Sequence, residues 1–304
     1  MEFVLTTEGL RKTYKSFNAL NGLSMHVPRG AIYGFVGRNG AGKTTLIRLA
    51  CGLQFPTDGE LTLYGARHTD DAIHAARKRI GAVVETPSIF PAMTAEENLK
   101  HQYRVLGLPN FDGVKELLEL VGLADTGSKK AEQFSLGMRQ RLGIAIALCG
   151  HPDFMILDEP INGLDPQGIV DVRELILRLN REQGITILIS SHILDELSRI
   201  ATHYGFIDGG RIVREMSADE LQNACRKCVS VRVTDVDVLV RELERRGTDY
   251  SVTGADSVDI YAQPNITELA LALWKDQCEI ITCKEQDENL EGFFLSLVGG
   301  ESHA

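Results

Sequence analysis

The chain is 304 residues long and 43% apolar, enough for a proper core in one large domain or two smaller ones. No apolar run approaches the roughly 18 residues needed to cross a bilayer, and Met1-Glu2-Phe3-Val4-Leu5-Thr6 is too short and polar for a signal peptide, so a cytoplasmic chain is expected, with any membrane link running through a partner. The net charge of −10 is uneven, residues 219–304 holding 17 Asp and Glu against 8 Lys and Arg; no basic footprint for nucleic acid is present, and the acidic end is unsuited to anionic lipid headgroups.

The first ~65 residues read as strands and turns. Within them the apolar run Ala31-Ile32-Tyr33-Gly34-Phe35-Val36 reads as a buried strand, and Thr45-Leu46-Ile47-Arg48-Leu49-Ala50 as an amphipathic helix. Between them Gly37, Arg38, Asn39, Gly40, Ala41, Gly42, Lys43 and Thr44 match G-x-x-x-x-G-K-[ST] without a mismatch, the pattern of a phosphate-cradling loop. A strand, a glycine turn and a helix N-terminus make an anion site, because unpaired N–H groups and the helix dipole both point at the phosphates. The nucleotide-binding set is therefore Gly37 to Thr45, with Lys43 reaching the β- and γ-phosphates and the Thr44 hydroxyl binding Mg²⁺. A chance glycine turn is the alternative, and the flanking strand and helix argue against it.

Pro56-Thr57-Asp58-Gly59 is a turn leading to the strand Glu60–Tyr64; Asp70 to Arg79 reads as a helix and Ile80 to Val84 as a short buried strand. Thr94 and Glu97 match a capping box, and residues 94–149 then read as a helical insertion in an otherwise alternating pattern. Near its end Ser135, a good N-cap, and Gly137 begin an apolar helix, a second N-terminus suited to phosphate, although an ordinary capped helix reads the same way. Phe154-Met155-Ile156-Leu157-Asp158-Glu159 places two carboxylates at the C-terminal end of a buried strand, where open parallel sheets bind ligands. Asp158 would hold Mg²⁺ and Glu159 would deprotonate the attacking water; taken without the glycine loop, the pair would equally suit a surface turn. A helix over Gln167–Gln183, a strand over Ile185–Ser190 and a helix over Ile193–Ala201 follow, with His192 at the C-terminal sheet edge, where it could donate to the γ-phosphate as a catalytic residue; a lone histidine at such a place is more often structural. A hairpin turns at Gly209-Gly210. The alternation predicts a parallel α/β core.

After Ser217 the pattern changes to β-α-β-β-α-β, over Val229–Val233, Asp235–Arg246, Tyr250–Val252, Val258–Tyr261, Ile266–Asp276 and Glu279–Thr282. That order is ferredoxin-like, and a last helix is expected over Leu290–Val298. Of six cysteines, Cys51 and Cys149 read as core residues, while Cys225, Cys228, Cys278 and Cys283 have spacings that a four-thiolate zinc site would also use.

The ordered motifs resemble those of ABC transporter ATP-binding subunits over roughly residues 3–215. Phe134-Ser135-Leu136-Gly137-Met138 is similar to the family signature, Leu164-Asp165 to its D-loop and Ser191-His192 to its switch; Tyr14 resembles the aromatic residue that stacks on adenine. One departure is Glu85, in Val83-Val84-Glu85-Thr86-Pro87, where the family has a glutamine that binds Mg²⁺. An ionised glutamate is acceptor-only; Glu85 still suits a hard cation such as Mg²⁺ but adds negative charge beside the nucleotide, and neutral drift at a loop position is the alternative. The glutamate resembles the bacitracin and lantibiotic self-protection exporters, as do Leu136, Met138 and the extra C-terminal domain.

The resemblance implies a P-loop NTPase domain of the ABC ATPase type, α/β, over 1–217 with a helical subdomain at about 94–149, and a small α+β accessory domain over 218–304. It implies ATP and Mg²⁺ as ligands, and a head-to-tail homodimer in which Ser135, Gly137, Met138 and Asp165 of one copy complete the other's site. It also implies integral membrane permease subunits as partners, met through the Glu85 loop on the cytoplasmic face of the cell membrane. The expected function is ATP hydrolysis that powers export of a peptide antibiotic. A soluble ATP-gated regulator fits less well, because a single cassette with no heptads is unlike the soluble relatives; an importer subunit is excluded only weakly.

Overall fold

Alternating apolar residues at the N-terminus fold as a long hairpin in the computed structural model of the protein, which describes residues 2–225, 228–261, 265–286, 292–294 and 297. Its strands are β1 (Phe3–Tyr14) and β2 (Phe17–Pro28), and Leu5, Leu10, Leu20, Leu23 and Met25 are buried. The predicted strand before the glycine loop is β3 (Ile32–Val36), buried at all five positions, and the helix after it is α1 (Lys43–Ala50). Then come β4 (Asp58–Leu63), β5 (Ala66–Arg67), α2 (Ala72–Arg77) and β6 (Ile80–Val83). The insertion supplies α3 (Ala95–Val105), α4 (Val114–Leu120) and α5 (Leu136–Leu148). The Thr94 capping box forms in both directions, Glu97 N–H donating to Thr94 Oγ1 at 3.1 Å and Thr94 N–H to Glu97 Oε2 at 2.7 Å. Next are β7 (Phe154–Asp158), α6 (Pro166–Gln183), β8 (Thr186–Ser191), α7 (Leu194–Leu197), β9 (His203–Asp208) and β10 (Arg211–Ser217).

Contacts divide the chain into two units, 1–218 and 219–304. The first holds an antiparallel sheet ordered β2-β1-β4-β5 and a six-stranded sheet ordered β10-β9-β3-β8-β7-β6. In the second sheet β9, β3, β8, β7 and β6 run parallel and β10 closes the edge antiparallel. Strands buried on both faces read as continuous apolar runs, which is why β3, β7 and β8 were legible. The helix expected over Ile193–Ala201 is a single turn. The Ser198 hydroxyl bonds Asp195 O, and the chain bends so that Thr202 N–H reaches Ile32 O.

The second unit contains most of α8 (Ala218–Ala224), which the pattern did not mark, then β11 (Cys228–Val233), α9 (Val236–Arg246), β12 (Tyr250–Val252), β13 (Ser257–Ile260), α10 (Ile266–Lys275) and β14 (Ile280–Gln286). Its sheet is antiparallel in the order β12-β13-β11-β14, the ferredoxin-like arrangement. Its core is built on Val229, Val231, Val233, Leu239, Leu243, Val258, Ile260, Leu269 and Leu273. The helix expected over Leu290–Val298 falls largely outside the described residues. Cys278 lies in this core and Cys283 is exposed. Among the described residues no group of three or more His, Cys, Asp or Glu side chains is placed to hold a metal ion.

The strand that delivers the glycine loop is tied down by one polar contact. Tyr33 of β3 is 1% exposed, and its hydroxyl donates to Glu215 Oε1 of β10 at 2.6 Å. Glu215 also accepts from His26 N–H at 2.8 Å, so β2, β3 and β10 meet at one carboxylate. Burial, with Glu215 beside it, pushes the Tyr33 phenol well above its usual range. A group raised on folding contributes stability that is whole below its unfolded value, about 10 for tyrosine, and is lost as the pH rises beyond it. Chemical denaturation from pH 7 to 11 should therefore show a loss of stability above about pH 10 that is shallower in Tyr33→Phe. At pH 7 the same variant should be less stable by about 1.5–3 kcal/mol, the range for a hydrogen bond to a charged group. An unchanged alkaline slope would exclude Tyr33 as a source of it.

Candidate functional site

The loop from Gly37 to Gly42 leaves the C-terminal edge of β3 between its neighbours β8 and β9 and enters α1 at Lys43. Gly42 has φ +112°, and a Cβ there would lie 2.6 Å from Ala19 O; only glycine fits both the conformation and the space. Lys43 is 6% exposed. Its ammonium is folded back, donating to Gly37 O at 2.6 Å and Arg38 O at 3.3 Å, and lies 3.2 Å from Glu159 Oε1.

Two carboxylates close the site from β7. Asp158, 1% exposed, accepts from Thr44 Oγ1 at 2.9 Å through Oδ2 and from Ser190 Oγ at 2.5 Å through Oδ1. Glu159, one residue beyond the strand, has φ +49°, a left-handed conformation that a glutamate adopts at a cost of about 1–3 kcal/mol. Its N–H is held by Ser190 O at 3.1 Å and Ser190 Oγ at 3.0 Å. Its side chain reaches Lys43 with one oxygen and His192 Nδ1, at 2.8 Å, with the other. Lys43, Thr44, Asp158, Glu159 and His192, separated by up to 149 positions in the numbering of the chain, thus form one contact network. It offers a cationic loop for phosphate, two hard oxygen donors for a divalent cation in Thr44 and Asp158, and a carboxylate beside a histidine. Those donors fit Mg²⁺, which takes oxygen ligands and is held by one or two carboxylates together with substrate phosphates.

A second group lies at two adjacent helix N-termini. Ser135 caps α5, accepting from Met138 N–H at 3.2 Å. Asp165 caps α6, accepting from Gly168 N–H at 3.3 Å, and Gly137 faces Gly168. Tyr14 ends β1; its hydroxyl bonds Gln54, and the Lys12 ammonium lies 5.2 Å from its ring centre. Arg38, Asn39 and Gly40 line the exposed side of the loop, while Ala41, Thr44 and Thr45 lie deeper.

Glu85 departs from the first group. It is 55% exposed and pairs with Arg48 of α1 at 2.5 Å. Arg48 is four residues after Thr44 and on the same helix face, so the Glu85 loop is held one turn away from the network. Two residues on, Pro87 packs on α5: a Cβ on Gly143 would lie 2.5 Å from Pro87 Cβ. The segment 85–87 therefore touches both the helix that begins at the glycine loop and the helix that Ser135 caps. Sequence reasoning missed Arg48 and Ser190. Arg48 gave no signal; Ser190 gave one, as a hydroxyl in a strand otherwise apolar from Ile187 to Ile189.

A model of the ABC transporter family matches residues 20–162. The bacitracin transport ATP-binding protein BcrA of Enterococcus faecalis is 39% identical over 303 residues, covering 99% of this chain and 98% of the relative. The lantibiotic transport ATP-binding protein SrtF of Streptococcus pyogenes is 39% identical over 220 residues, covering 72% of this chain and 93% of the relative. Among solved structures, a dimeric post-hydrolysis ATP-binding cassette bound to ADP and Pi superposes with a TM-score of 0.63 at 25% identity, covering 70% of this chain and 98% of that one. Among the described residues no helix is long and apolar enough to cross a membrane. With an end-to-end relative at this identity and the cassette fold around its phosphate loop, the chain belongs to the ATP-binding, ATP-hydrolysing subunits of ABC transporters.

Proposed function

We propose that this chain powers the export of a peptide antibiotic of the bacitracin or lantibiotic type through separate membrane permease subunits, on whose cytoplasmic face it sits. The observation that carries the hydrolytic part is the Lys43–Glu159–His192 contact set beside Asp158 and Thr44. The export part is supported by the end-to-end likeness to the bacitracin transport protein and by Glu85.

In the proposed cycle, the loop N–H groups from Gly37 to Thr45 bind the phosphates, and Tyr14 receives the adenine on its ring. Thr44 and Asp158 would hold Mg²⁺, which would supply positive charge against the phosphate oxygens. Lys43, now neutralised by Glu159, is drawn to the phosphates instead, because they offer more negative charge than one carboxylate. That exchange frees one Glu159 oxygen to accept the proton of the attacking water. His192 keeps the other oxygen in place. Two copies associate head to tail, and Ser135, Gly137, Met138 and Asp165 of one copy cover the nucleotide of the other. Glu85 lies in the loop that would meet the permease and would offer a further carboxylate oxygen to the metal.

Three measurements test this reading. Glu159→Gln should keep nucleotide binding and lose turnover by about 10²–10⁴-fold, with a dimer accumulating in ATP and Mg²⁺; wild-type turnover would remove Glu159 from the role. Mixing Lys43→Ala and Ser135→Arg chains, each inactive alone, should restore ATPase activity, since each heterodimer rebuilds one intact site. Silence in a mixture with demonstrated heterodimers would refute composite sites. Glu85→Gln removes an exposed ion pair worth about 0–1 kcal/mol or less, so the fold should survive. Its Mg²⁺ titration should differ from wild type, and cells carrying it with the permease should lose resistance to the antibiotic; equality in both would detach Glu85 from export.

A further inference from the structure

We propose that Ser190 is a positioning residue that fixes both carboxylates of the site through one hydroxyl. Ser190 lies on β8 in register with Asp158 of β7 and is fully buried, 0% exposed. The three residues before it, Ile187, Leu188 and Ile189, are apolar, and a buried strand has no need of a hydroxyl unless its hydrogen-bonding capacity is used. Here both sides of it are used. The O–H donates to Asp158 Oδ1 at 2.5 Å, and the oxygen accepts Glu159 N–H at 3.0 Å.

The first bond stops the Asp158 carboxylate from rotating, so Oδ2 stays on Thr44. The second reinforces the bond from Glu159 N–H to Ser190 O at 3.1 Å, and so holds Glu159 in the left-handed conformation that turns its side chain toward Lys43 and His192. Ser190 thus couples the metal side of the site to the base side without reaching the substrate. This inference rests on Thr44 and Asp158 as the metal donors and Glu159 as the base.

The test compares Ser190→Ala, Ser190→Cys and Ser190→Thr. Cysteine keeps the volume but donates weakly, and threonine keeps the hydroxyl. Three quantities are read: kcat with its Mg²⁺ dependence, affinity for a fluorescent ATP analogue in EDTA and in Mg²⁺, and Tm. In the Ala and Cys variants kcat should fall and the half-saturating Mg²⁺ should rise, each by about 10–100-fold, the usual effect of losing an outer-shell partner of a metal site. The effect of Mg²⁺ on analogue affinity should shrink to a similar degree, while affinity in EDTA stays within about twofold. Threonine should recover most of each loss. Wild-type kcat and Mg²⁺ dependence in Ser190→Ala would overturn the proposal, as would equal losses in all three variants together with weakened EDTA binding and lowered Tm, which would mark a packing role. A wild-type chain that binds the analogue without hydrolysing ATP overturns the hydrolytic reading and this proposal with it. A hydrolysing wild type matched by Ser190→Ala overturns this proposal alone.

Discussion

A carboxylate removed from water must find partners for both of its oxygens, and Asp158 is such a carboxylate. One oxygen is taken by Thr44 at the start of α1 and the other by Ser190 at the end of β8. Those two bonds tie together the helix that follows the glycine loop, the strand that ends at Asp158 and the strand that leads to the histidine. The order β3-β8-β7 in the sheet is what makes them possible, since it sets Ser190 directly beside Asp158 and the loop one strand further on. The burial is costly and is offset only because the partners are fixed by backbone that the apolar strands hold in place.

The neighbouring charges follow the same logic. Lys43 is almost wholly enclosed, and its ammonium is satisfied by two loop carbonyls and by Glu159. The cation is thus already desolvated, and it is held inside the loop by partners of the same chain. Glu159 has the complementary arrangement. Its left-handed backbone is unfavourable alone, and the two bonds from its N–H to Ser190 keep it there.

Beside this centre, residues 85–87 join α1 to α5 by two contacts of different kinds. The Arg48–Glu85 pair is exposed, and exposed pairs are weak. The packing of Pro87 on Gly143 is steric and leaves no room for a side chain. Residues 85–87 thus meet α1 through a weak electrostatic contact and α5 through a tight steric one. The acidic second unit is built differently, with one sheet face covered by α9 and α10 and the polar residues Ser230, Arg232, Ser257 and Asp259 on the strand positions between the core valines and isoleucines.

Much of this was legible without coordinates, for identifiable reasons. The glycine loop is a local device, and the eight residues that form it are contiguous, so its chemistry is written in their order. The strands of the parallel sheet announce themselves as uninterrupted apolar runs, and the Thr94 capping box needs only residues three apart. The second unit was legible as alternating strand and helix periods. Glu85 could be recognised as an unusual residue, but not as one paired with Arg48, because the two lie 37 positions apart and meet only when β6 is laid beside β7. Ser190 could be seen as polar in an apolar strand; that its hydroxyl serves Asp158 and Glu159 depends on strand order and register, which no local pattern encodes. The sequence alone determined which groups the protein has for phosphate, metal and proton, since those depend on residue identity and short-range spacing. The tertiary structure decided which of them share a hydrogen bond, because long-range pairing is set by how the sheet closes its core and not by any property of the residues taken one at a time.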